Sequence, residues 1–285
     1  MKVIDDTQKD LERLIAADFG VSPTGDYQAD FVNWIHFRAR RVPRLPRRVF
    51  VSHEVKLHQI KYPAIEQIRM VLQAGGDVGP WLSEKTRKDK TNHRADMMFN
   101  DWQVLHFHLG GFFQSSTTIR RSGPLLFVHI TAEAATLLDV QPHGSWTMTA
   151  LLEILLRTNP PGLERYEGRK VTPMRLTDDQ YSNLRKKGAN TFIEIAGRAF
   201  MSPGMGLLAS GHAARLYLYR DHFFITLETI QKNMGGDLVE AHLRSAIYAH
   251  LGVPVRLGAY YDDRGMAIID KNRNGLVLHQ MKALE

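Results

Sequence analysis

Apolar residues recur at helical spacing over residues 6–17. Leu11, Leu14 and Ile15 share one face and the acids fall early, which predicts a first helix from Asp6 to Ala17. Phe31, Trp34, Ile35 and Phe37 predict a second helix from Tyr27 to Arg40, beyond which Pro43 and Pro46 block continuation. The segment VFVSHEV, Val49 to Val55, alternates and is rich in β-branched residues, the pattern of a strand. A helical period returns from Pro63 to Gln73 through Ile65, Ile68, Val71 and Leu72, and Gly75-Gly76 ends it. Three short apolar runs follow: WQVLHFHL (102–109), PLLFVHI (124–130) and TLLDV (136–140). Turn-type residues separate them, so they predict an antiparallel meander. A helix from Thr147 to Arg157 then stops at Asn159-Pro160-Pro161-Gly162.

Beyond that stop, TDDQYSNLRKK reads as a helix over Thr177–Lys187 with Thr177 as its N-cap. FIEIAGRAF, GLLASG and ARLYLYRDHFFITL alternate and predict strands. A further helix is expected over Gly236–His250, then a closing hairpin of VRLGAYY with GMAIID, extended by GLVLHQM. The whole predicts an α+β fold, with antiparallel sheets flanked by helices. The Pro-Pro-Gly stop divides it into an N-terminal domain, 1–162, carrying a histidine-rich sheet, and a C-terminal domain, 163–285.

Composition narrows the functional classes. With 44% hydrophobic and 24% charged residues, the chain is globular in character rather than disordered. The absence of cysteine excludes disulfides, thiol catalysis, iron–sulfur ligation and thiolate zinc sites. The first twenty residues mix acids with apolar side chains, unlike a secretory leader, and no stretch of about 18 apolar residues occurs. A bacterial cytoplasmic protein without a membrane partner is expected. Thirty-seven Lys and Arg against 30 Asp and Glu leave a net charge of +7, which favours an anionic partner such as RNA or DNA.

The candidate chemistry lies between Asp101 and Trp146. Residues two apart on a strand share a face, so His106 and His108 present their imidazoles side by side. Asp101 precedes that strand, Arg120 and Arg121 precede the next, and His143 follows the third; a meander can bring such residues together. An imidazole titrates near neutrality and serves as general acid, general base or metal ligand. Three readings stay open. In the first, His106, His108 and His143 move protons in metal-free phosphodiester cleavage, while Arg120 or Arg121 steadies the phosphate. In the second, the same histidines hold Zn or Fe in a hydrolase or oxygenase. In the third, the protein binds without chemistry and its histidines are hydrogen-bonded sheet residues.

The order strand, arginine-bearing turn, and strand ending in Asp139-Val140-x-x-His143-x-x-Trp146 resembles the sheet and C-terminal histidine/aromatic region of the RelE/ParE-type bacterial toxins. The resemblance covers residues 102–146. It implies a basic, nucleic-acid-directed protein, a ribonuclease of toxin or phage-defence character. Outside that region, Arg38, Arg40, Arg41, Arg44, Arg47 and Arg48 form the densest positive tract and are expected to follow a phosphate backbone or to serve as a solvated connector. SPGMGLLASGH, 202–212, lacks the Gly-Lys-Ser/Thr of a phosphate loop and reads as a turn. Nucleophile-elbow, kinase, dinucleotide-binding and EF-hand signatures are absent.

Overall fold

The computed structural model describes residues 3–20, 26–83, 86, 97–111, 123–144, 149–208, 210–233 and 254–283. It is an α+β fold of mixed and antiparallel sheets with flanking helices. Among the described residues no helix is long and apolar enough to cross a membrane. The chain forms two compact units, residues 1–35 with 217–284 and residues 36–216. This differs from the division expected at residue 162, and the reason is physical: the Pro-Pro-Gly turn ends a helix without ending a core. Leu163, just past the turn, is buried in the same apolar cluster as Leu152 and Leu155 ahead of it.

In the first unit, β1 (Val3–Asp5) lies parallel to β8 (Val255–Asp262), and β9 (Gly265–Asp270) and β10 (Leu276–Gln280) extend the sheet antiparallel. The closing hairpin is thus as expected, whereas the short β1 carries too few residues to show a period. Helix α1 (Thr7–Phe19) buries Leu11, Ile15 and Phe19 and ends on Gly20 in the left-handed conformation. Helix α2 (Tyr27–Arg40) matches its predicted limits, and Trp34 on it donates to Asp18 at 2.6 Å. Residues 214–233, expected in part as a strand, form the 20-residue helix α9 (Ala214–Asn233). Their Tyr, Phe, Ile and Thr content reads as strand, but Leu216, Phe223 and Leu227, seven and four apart, are the buried apolar positions. Phe223 stacks on Phe31 with ring centroids 5.5 Å apart. The helix expected over Gly236–His250 lies outside the described residues.

The second unit is built on a sheet of order β2-β5-β4-β3, from β2 (Arg48–Val51), β3 (Val104–His108), β4 (Pro124–Ile130) and β5 (Ala134–Pro142). The predicted meander is present, with β2 added parallel to β5. Strand β2 is shorter than expected because Ser52 accepts from the Val55 N–H at 3.0 Å and starts helix α3 (His53–His58). One face of the sheet packs Leu105, Phe107, Leu126 and Leu137 with Ile65, Ile68 and Leu72 of α4 (Ala64–Ala74). The other packs Val104, Leu125, Phe127 and Leu138 with Leu151, Leu152 and Leu155 of α6 (Thr149–Thr158). Burial on both faces explains why these strands read as near-continuous apolar runs. Short helices α5 (Met97–Trp102) and α7 (Pro161–Glu164) flank the sheet. Helix α8 (Asp178–Lys186) begins with a full capping box between Thr177 and Gln180. FIEIAGRAF forms the hairpin of β6 (Ile193–Ile195) and β7 (Arg198–Phe200), as expected. GLLASG is not a strand; it contributes only the isolated bridge Leu207–Ala213.

Candidate functional site

Strand β3 is the edge of its sheet, and the pleat sets Val104, His106 and His108 on one face. Their register partners on β4 are His129, Phe127 and Leu125. The His106 ring centroid lies 6.3 Å from that of His108, 6.5 Å from that of His143 and 6.2 Å from that of Phe127. His143 reaches His106 from the turn after β5, so His106 lies beside both of the other predicted histidines. Their exposure is graded: His108 is buried, His106 half-buried and His143 exposed. Asp139, opposite Phe127 on β5, accepts from the Val140 N–H at 2.7 Å and from the Gln141 side chain. Arg120, Arg121 and Trp146 lie outside the described residues.

Asp101 has partners of its own. It sits on α5, ahead of the first residue of β3. Its Oδ2 lies 2.5 Å from Nε of Arg185 on α8, with both side chains buried. The Tyr181 hydroxyl, one helical turn before Arg185, donates to the same oxygen at 3.4 Å and accepts from the Trp102 indole. Burial raises the Asp101 pKa, opposed by Arg185. Burial also raises the Tyr181 hydroxyl. The buried Arg215 guanidinium lies over the Phe99 ring; burial lowers its pKa to about 10, so it remains a cation at neutral pH. Sequence reasoning missed Arg185 and Arg215. The one available signal was the i, i+4 spacing of Tyr181 and Arg185 inside an otherwise polar helix.

His129 presents a different environment. Its ring is fully buried between Val104 and Thr136 in the sheet, and burial pushes its pKa down to about 3, assisted by the positive charges of Arg165 and Arg215. It is a neutral core residue, not a proton carrier at physiological pH.

The arginine tract is not a row of outward-facing guanidinium groups. Arg40 and Arg47 are buried. Arg47 donates to the carbonyls of Thr131, Pro43 and Leu45 at 2.7–2.9 Å, tying the proline-rich connector to the turn before β5. Arg44 pairs with Asp77 at 2.7 Å, and Arg38 is half-buried. Arg41 and Arg48 remain exposed, over the rings of Phe37 and Phe50. The prolines leave carbonyls without helical donors, and the arginine beside them answers that demand internally.

Among the described residues no group of three His, Asp or Glu side chains is disposed to hold a metal ion. No protein-family model matches the chain, and no curated protein or solved structure matches it either.

Proposed function

We propose that the protein is a metal-independent ribonuclease, of toxin or phage-defence type, acting through His106, His108 and His143. The observation that carries this reading is the arrangement of His106 between two further imidazoles at 6.3 and 6.5 Å between ring centroids. Two imidazoles on one tetrahedral metal, with N–metal bonds of about 2.0–2.1 Å, hold their centroids only about 5.3 Å apart. A proton-accepting and a proton-donating imidazole on opposite sides of a phosphorus need a wider gap, because two hydrogen bonds and the in-line oxygens lie between them. The observed spacing exceeds the metal-bound value by about 1 Å.

In the reaction, one imidazole takes the proton of a ribose 2′-hydroxyl and the 2′-oxygen bonds to phosphorus. The bond from phosphorus to the 5′-oxygen breaks, and a second, protonated imidazole delivers its proton there. The products are a 2′,3′-cyclic phosphate and a free 5′-hydroxyl. His143, the exposed ring, exchanges its proton with water between turnovers. Arg120 or Arg121 steadies the charge on the phosphorane. The net charge of +7 and the resemblance of residues 102–146 to RelE/ParE-type toxins support an RNA substrate.

The test is cleavage of labelled RNA in excess EDTA. Cleavage that persists, yields cyclic phosphate, spares 2′-deoxy substrates and falls about 10²–10⁴-fold in His106→Ala and His143→Ala is the expected result. Loss of cleavage in EDTA with recovery on added zinc overturns the scheme in favour of a metal site. Inertness toward all RNAs, or full activity in both variants, overturns it outright.

A further inference from the structure

A narrow hollow opens beside the buried Asp101–Arg185 pair, lined by Asp101, Tyr181, Arg185, Ser202 and the rim residues Asn190 and Thr191. Asp101 is only 3% exposed, and its two oxygens are used unequally. Oδ2 holds Arg185 and Tyr181, whereas Oδ1 is buried with no hydrogen-bond partner among the described residues. A buried carboxylate oxygen without a donor is costly, and the hollow beside it is large enough for about one water-sized group.

We infer that this hollow is a recognition pocket for the exocyclic amino group of a nucleobase of the cytosine or adenine type. The inference rests on the ribonucleic-acid reading above for its substrate class, and the chemistry of the hollow selects among bases. Asp101 already has its charge answered by Arg185, with the cationic Arg215 also within electrostatic reach. A further cation is therefore repelled, and a neutral N–H donor is what Oδ1 accepts. Guanine presents two parallel N–H groups that pair best with both oxygens of a carboxylate, and with Oδ2 taken it gains only one of the two bonds. Uracil offers no amino group. Cytosine and adenine each present one amino group to a single acceptor, as Asp does with the cytosine amino group in base readout. An amino group in the hollow gives Oδ1 the hydrogen bond that no described residue supplies. The base ring then lies on the rim, against Asn190, Thr191 and Leu207, all of which line the same opening.

Pocket and cleavage site are tested separately by titrating nucleosides, which carry no scissile phosphate. Indole fluorescence reports binding, since Trp102 donates to the Tyr181 hydroxyl at the pocket wall. Cytidine or adenosine is expected to bind about 10- to 100-fold more tightly than uridine or guanosine, the worth of one hydrogen bond to a charged acceptor. Asp101→Asn is expected to erase that preference. Because that change leaves Arg185 without its counter-ion, Asn190→Trp is the second variant. It plugs the exposed rim, keeps the parent's melting temperature and abolishes nucleoside binding. Equal affinity for all four nucleosides, no binding at millimolar concentration, or unchanged binding in Asn190→Trp overturns the pocket. Nucleoside discrimination without RNA cleavage overturns the ribonuclease and leaves the pocket standing; cleavage with no base preference and no nucleoside binding does the reverse.

Discussion

Replacing His129 with Leu is expected to remove about 2 kcal/mol of the protein's acid sensitivity between pH 7 and pH 5. The ring is 1% exposed, and its Nδ1 has no hydrogen-bond partner among the described residues. Burial holds its pKa at about 3 in the folded chain, against an ordinary value of 6.5. The unfolded chain therefore binds a proton at this position long before the folded one does. The sign follows: stability is complete above the ordinary value and is lost as pH falls below it, at about 1.4 kcal/mol per pH unit, until the folded pKa is reached. Between pH 7 and pH 5 this amounts to about 2 kcal/mol. Carboxylates held low by arginine, such as Asp6 beside Arg256 and Glu167 beside Arg198, contribute acid sensitivity of the same sign. They do so mainly below about pH 4.5, where unfolded carboxyls protonate, so the chosen window sets them aside, and the difference between parent and variant assigns the remainder to His129 rather than to the other buried histidines, His36, His108 and His212. Urea unfolding followed by circular dichroism at pH 7 and pH 5 supplies the measurement. His129→Leu should lose about 2 kcal/mol less than the parent between the two, with equal or greater stability at pH 7 because an unpaired polar atom has gone. A variant that loses as much as the parent refutes the assignment of a buried, neutral His129.

Two further outcomes test the structure. Arg185→Met strands the buried Asp101 carboxylate and should cost about 3–5 kcal/mol in urea unfolding, with Asp101→Asn/Arg185→Met recovering part of it; full additivity of the two single changes would contradict a direct pair. Arg47→Ala leaves three carbonyls without their shared donor and should lower the melting temperature by several degrees, whereas Arg44→Ala breaks only an exposed pair with Asp77 and should cost under about 1 kcal/mol; equal effects would contradict the burial of Arg47.

The contrast between those two arginines shows where sequence reading loses its grip. Arg44 and Arg47 stand three apart in one proline-rich tract, chemically identical, yet one faces Asp77 in solvent and the other binds the Thr131 carbonyl, 84 residues away in sequence. Composition exposes the charge and not its partner. Residues 214–227 illustrate the same limit: strand-type side chains lie in a helix because tertiary packing of Phe223 on Phe31 outweighs a propensity of a few tenths of a kcal/mol per residue. Of the site, the shared face of His106 and His108 was legible because it follows from the pleat. The arrival of His143 needed only the short meander. The partner of Asp101 was not legible because Arg185 stands on a helix beyond the expected domain limit.

Helices α1, α2, α4 and α8, the β3–β5 meander and the β8–β10 hairpins were written locally, in apolar period, caps and turn residues. These act through backbone sterics and neighbours within a few positions, so the chain carries them wherever it folds. The three-dimensional packing alone chose which arginines are buried, which carboxylate oxygen stays open and which histidine is neutral. Those properties arise from desolvation and from contacts between segments far apart in the chain, and neither exists until the core has closed around them.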